Sequence, residues 1–250
     1  MSSDVTVILN GYRRKDALDI QLQQLEKQSI KPDDIMLWYN YPGDPMLINM
    51  NAVHKTRSVV SNTNFGVWGR FTYALNAKTK YVCIFDDDTI PGTKWIENCL
   101  TTIKEKRGVL GTIGLHCNDR DEYFNHTRYG WDNPNEDTVE VDLVGHSWFF
   151  EREWLSAMFR EVPNPEYDLC GEDMHLSYAV QKYLGLKTFV PPHPKNDKEM
   201  WGSLMGWELG VDENAISHLH TFHGKDDFRK KVNTYFKGLL NNGWTLVNDK

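Results

Sequence analysis

Residues 81–92 read YVCIFDDDTIPG: five residues of core-grade strand run straight into three carboxylates. Tyr81, Val82, Cys83, Ile84 and Phe85 form the short, nearly unbroken apolar run of a strand buried on both faces of a sheet. Asp86, Asp87 and Asp88 follow at once, and Pro91-Gly92 turns the chain. Three adjacent like charges repel, so something compensates them. Water, a basic side chain and a cation are the alternatives.

The pattern on either side supplies the context. Strands are expected at Val5 to Leu9, Ile35 to Tyr39, Arg57 to Ser61, Val109 to Leu115, Val139 to Val144 and Lys187 to Val190, besides Tyr81 to Phe85. Helical patterns fall between them. One is capped by Asp16 and carries Leu18, Leu22 and Leu25 on one face; others span Trp95 to Lys106 and Asp226 to Leu240. Strands alternating with helices over the first 110 or so residues predict an α/β fold with a mostly parallel central sheet flanked by helices. Ligands of such sheets sit beyond the carboxyl ends of the strands, where the aspartates fall. A hard divalent cation takes oxygen ligands of this kind and leaves open positions for phosphate oxygens.

Composition excludes several classes. With 28 Lys and Arg against 35 Asp and Glu, the chain of 250 residues has a formal charge of −7. It carries no basic block, which argues against a nucleic-acid partner. No stretch approaches the roughly 18 apolar residues of a membrane span, and no basic start leads into an apolar run. The expected location is cytoplasmic. Cys83, Cys99, Cys117 and Cys170 are scattered without a C-x-x-C pair, so free thiols are expected. No linker or repeat divides the chain, and it reads as a single domain spanning residues 1–250.

In GEDMHLSYAVQKYLG, residues 171–185, Leu176, Ala179, Val180, Tyr183 and Leu184 fall on one face of a helix stopped by Gly185. Glu172 and Asp173 lie in its first turn, where the helix dipole favours acids for structural reasons alone. Near the C terminus, SHLHTFHGKDDFRKK places His218, His220 and His223 within six residues. The segment from Pro191 to Ala215 has no regular period, and Trp201, Gly202, Gly206 and Trp207 suit a loop that closes over a ligand.

Taken in order, these segments resemble glycosyltransferases of the GT-A fold, from about residue 5 to about residue 240. The D-x-D at the end of a central strand is the first match. VTVILNGYRRKDALDIQLQQL and IMLWYN look most like the exostosin-like hexosaminyltransferase domains, family 64, whose first loop reads T-Y-N-R and whose second strand ends in W-N-N. Here these read Gly11-Tyr12-Arg13-Arg14 and Trp38-Tyr39-Asn40. SNTNFGVWGRF and VDLVGHSWFF match further segments of that group, although Asn64 to Arg70 is about one residue longer than its pattern.

The resemblance implies a nucleotide-sugar-binding half, residues 1–115, and an acceptor-binding half, residues 116–250, with a C-terminal loop and helix. Asn10, Gly11, Arg14, Asn40, Asn64, Arg70, Asp86 and Asp87 would bind the nucleotide sugar, with Arg70 on the pyrophosphate. Asp88 would hold Mn²⁺ or Mg²⁺, with His223 as a further ligand. Lys225 or Arg229 is an alternative contact to the diphosphate. His146 and Trp148 would contact an acceptor sugar, and Asp173, with Glu172, would be the catalytic acid pair. The implied donor is a UDP-sugar and the acceptor a glycan or glycoprotein. Two rivals are a metal-dependent nucleotidyltransferase, for which NGYRRKD has too few glycines, and a non-catalytic sugar-binding module, which has no need of Asp88 and Asp173 together.

Overall fold

The computed structural model describes residues 2–163, 170–211 and 225–249. Its first half alternates strands β1 (Val5–Gly11), β2 (Asp34–Tyr39), β3 (Arg57–Val60) and β4 (Tyr81–Phe85) with helices α1 (Lys15–Glu26), α2 (Met50–Lys55) and α3 (Gly69–Ala74). These strands pair in parallel in the order β3-β2-β1-β4. Every residue of β1 is buried, as the apolar run of a two-sided strand requires. On α1, Leu18, Leu22 and Leu25 are buried as expected, but Asp16 is not the cap. Arg14 takes the cap position without a side-chain cap bond, and Asp16 sits inside the first turn.

After α4 (Trp95–Glu105) come β5 (Gly108–Cys117), β6 (His126–Gly130), β7 (Val139–Val141) and β8 (Leu143–Glu151). Then follow α5 (Leu155–Met158), α6 (Glu172–Leu184), β9 (Lys187–Val190), α7 (Gly206–Leu209) and α8 (Lys225–Asn241). The sheet continues β4-β8-β5-β9-β7, with β6 paired to the side of β5. It is mixed, not mostly parallel: β4–β8, β5–β6, β5–β8 and β7–β9 are antiparallel, and only β5–β9 is parallel in this half. The expected strand Val139 to Val144 is two strands. Asp142 separates them, its carboxylate accepting the backbone N–H groups of Cys117 at 2.7 Å and Val247 at 2.6 Å.

Because β8 inserts between β4 and β5, residues on either side of position 115 share one sheet. One core surrounds β1, β4 and β8, with Trp95, Phe149 and Trp154 fully buried. A second core lies where α6 and α8 cover the far end, around Tyr178, Phe236 and Trp244. Gly185 ends α6 in the left-handed conformation, φ 64°, with its N–H on Gln181 O. Cys83, Cys99, Cys117 and Cys170 are free thiols. No helix among the described residues is long and apolar enough to cross a membrane.

Candidate active site

β1, β2 and β4 all point their carboxyl ends at one cleft of about 670 Å³. At its floor, the N–H of Asp86 donates to His146 O on β8 at 3.0 Å. Buried Gln21 of α1 donates to the carbonyls of Asp86 at 2.7 Å and Thr89 at 2.8 Å, which fixes the acidic loop from below. Two arginines compensate the three carboxylates. Arg14 Nη1 lies 2.6 Å from Asp87 Oδ1 and 3.3 Å from Asp88 Oδ2, and Arg70 Nη1 lies 2.6 Å from Asp86 Oδ1. Burial pushes the Asp87 carboxyl up to about 6 despite Arg14. Burial raises Asp88 as well, against the pull of His146 and Arg14.

Across the cleft, α6 presents its acidic first turn. Gly171 begins it at φ 88°, pressed so closely on Tyr235 that a Cβ would come within 2.6 Å of the ring. No side chain fits there, so the turn brings Glu172 and Asp173 to the cleft wall. Arg70 Nη2 holds Glu172 Oε1 at 2.7 Å, and Asp173 Oδ1 accepts the N–H of Met174 at 2.7 Å. Burial drives Glu172 upward against Arg70, and raises Asp173 to about 6. For Arg70, burial is the largest influence and pulls its pKa down. Asp86, Glu172 and the neighbouring aspartates together outweigh it, and the net shift is upward. Arg70 therefore bridges the two acidic groups as a permanent cation.

Arg70, expected on the pyrophosphate, lines the cleft but is buried and paired with two carboxylates. Trp148, expected on an acceptor sugar, also borders the cleft. Only 1% exposed, it donates its indole N–H to Val144 O and lies 4.9 Å beneath the Arg70 guanidinium, which it supports. Gly11 lies below the cleft, where a Cβ would come within 2.6 Å of the Tyr39 ring. Asn40 lines the cleft but uses its amide internally. Its Oδ1 accepts from Trp38 Nε1 and Phe65 N, and its Nδ2 donates to Gly66 O, which shapes the loop carrying exposed Asn64. Asn10, Arg14, Asn64, the three aspartates, Glu172 and Asp173 all line the cleft as expected.

His146 lines it as well, through a local irregularity. Between the pairs Gly111↔Trp148 and Ile113↔Gly145, two residues of β8 face Thr112 alone, a bulge that places His146 at φ 64°. The left-handed backbone is unfavourable for a side chain of this kind and marks a functional candidate. The imidazole stacks on Trp131 at 5.5 Å, with Nδ1 buried and unpartnered. Trp131 was not legible as a site residue: the surrounding YGWDNP signals only a turn, whereas the structure buries the ring in the second core at the edge of the cleft. Tyr12, Tyr123 and Arg128 are further lining residues beyond the sequence motifs.

His218, His220 and His223 lie outside the described residues. Lys225 begins α8, and Arg229 pairs with Glu122 at 3.1 Å on the surface. Among the described residues, no three His, Cys, Asp or Glu side chains gather into a metal-binding cluster. Asp88 by itself has the chemistry for a hard cation. It reaches the cleft wall, and the contacts it accepts from Thr89 Oγ1 and Arg14 are both 3.3 Å long.

This fold, with an acidic loop after β4 facing an acidic helix start, is of the GT-A type. Residues 49–163 match the family model described as Glycosyl transferase family 2, a segment that holds Arg70, the three aspartates and His146. This match covers less than half of the chain and gives no support to the exostosin-like group that the motifs resemble, so roles carried over from that group rest on geometry alone. The chain is similar in fold to the crystal structure of S. aureus TarS, with 17% identity over 77% of this chain and a TM-score of 0.51. It is similar also to S. aureus TarS 1-349 in complex with UDP, with 19% identity over 77% of this chain and a TM-score of 0.52. The chain spans 37% and 58% of those two chains. No curated protein matches the sequence.

Proposed function

We propose that the protein moves a sugar from a UDP-sugar to a hydroxyl of a glycan or glycoprotein acceptor. The observation that carries this reading is the Arg70 bridge, which sets the Asp86–Asp88 loop opposite Glu172 and Asp173 across one cleft. A donor diphosphate would meet the aspartate loop through a divalent cation, and an acceptor hydroxyl needs a carboxylate base on the facing wall. The UDP held by the structural neighbour supports uridine as the nucleotide.

In this reading Asn10 and Asn64 meet the nucleoside, with Asn40 shaping the loop around it. Asp88 would hold Mn²⁺ or Mg²⁺, which when bound offsets charge on the departing diphosphate. Asp173 accepts the proton of the acceptor hydroxyl. Its raised pKa suits that task, since a base titrating near 6 is ionised at neutral pH yet retains affinity for a proton. Arg70 positions both acids without touching the reacting atoms.

The test is incubation of the protein with UDP-, GDP- and CMP-sugars, Mn²⁺ and a panel of glycan acceptors, followed by analysis of released nucleotide. Release of UDP from UDP-sugars is expected. Absence of nucleotide release from every donor, or release only from the GDP- or CMP-sugars, would overturn the proposal.

A further inference from the structure

Trp207 is 63% exposed at the rim of the cleft, whereas Trp95, Trp148, Trp154 and Trp244 are fully buried. Its place is tightly determined. It sits on α7 between Gly206, where a Cβ would come within 2.4 Å of the Trp131 ring, and Gly210, where a Cβ would come within 3.1 Å of Asp88 Oδ2. Two glycines thus lay this short helix against both an aromatic ring and the acidic loop. The Trp207 ring lies 5.2 Å from Trp131 with a tilt of 39°, and Trp131 stacks in turn on His146. The three rings make one column, backed by the β8 bulge and ending in solvent.

The sheet order gives this column a side. β1 and β2, with Asn10 and Asn40, lie on one side of β4; β8, with His146, lies on the other, and Trp131 is tied to neighbouring β5 through its N–H on Thr112 O. A nucleotide sugar with its base by β2 and its diphosphate at Asp88 directs its sugar toward the column. Within the glycosyltransferase reading, on which this step rests, the outermost face belongs to the acceptor. We propose that Trp207 is the stacking face for a pyranose ring of the acceptor, with Trp131 as its rigid backing. The C–H face of a pyranose is apolar enough to cover the part of the Trp207 indole that Trp131 leaves exposed.

Saturation-transfer NMR with methyl hexopyranosides and disaccharides, on wild type, Trp207→Ala and Trp207→Phe, tests this. Transfer to at least one pyranoside is expected in the wild type, with affinity about tenfold weaker in Trp207→Ala and largely kept in Trp207→Phe. Circular dichroism confirms that each variant is folded. Equal transfer in Trp207→Ala, or none in the wild type, overturns the stacking assignment. Calorimetry with UDP on the same wild-type sample keeps the two ideas apart: UDP binding without pyranoside binding sinks only the Trp207 assignment, whereas absence of UDP binding sinks the glycosyltransferase reading itself.

Discussion

Arg70 donates to Glu172 at 2.7 Å across 102 residues of sequence, and this one contact ties α3 to the start of α6. The same guanidinium holds Asp86, so three buried or half-buried charges form one unit. Arg70→Met should lower the free energy of unfolding by about 3–5 kcal/mol, because two carboxylates lose the cation they share. Arg70→Lys should recover part of that, since a single ammonium cannot fork between both. Urea denaturation measures both. An unchanged midpoint for Arg70→Met would show that the bridge does not hold the two walls together.

In the proposed reaction Asp173 sets the pH dependence. Its carboxyl is raised by burial from 3.8 to about 6, so it is protonated below that value and ionised above. The turnover number should therefore climb as pH rises through about 6 and level off beyond it. Asp173→Asn should lose about 10² to 10⁴ in turnover and lose the acid limb with it. Direct attack by the activated hydroxyl inverts the anomeric centre, and NMR of the product should show inversion. A variant with near wild-type turnover would reduce Asp173 to a helix-start acid.

Asp88→Asn separates metal from nucleotide. The substitution keeps size and removes charge, so UDP affinity in Mn²⁺ should fall to the value measured in EDTA. Equal wild-type affinity in Mn²⁺ and EDTA would remove the cation from the account.

His146 stores backbone strain at φ 64°. Both His146→Gly and His146→Ala remove the ring, but only glycine takes this conformation without penalty. His146→Gly should be more stable than His146→Ala by about 1 kcal/mol in urea unfolding. Equal stabilities would mean that the bulge relaxes once the imidazole is gone.

What the sequence revealed follows the range of its interactions. β4 and its aspartates were legible because five apolar residues followed by three acids is a local pattern. α6 was legible because its periodicity and Gly185 are local too. The partners of those aspartates were not, since Arg14 reaches Asp87 from 73 residues away and Arg70 reaches Glu172 from 102. Antiparallel insertion of β8 between β4 and β5 likewise depends on long-range pairing. Simple alternation would give His146 and Trp148 the same exposure. The bulge breaks that phase, leaving His146 at the cleft and Trp148 beneath Arg70.

Calorimetric titration of the wild-type protein with UDP, GDP and CMP in Mn²⁺ bears most directly on the cleft as a uridine nucleotide-sugar site. UDP should bind with the highest affinity of the three, and with one site per chain. A clear preference for GDP or CMP, or equal weak binding of all three, would contradict it.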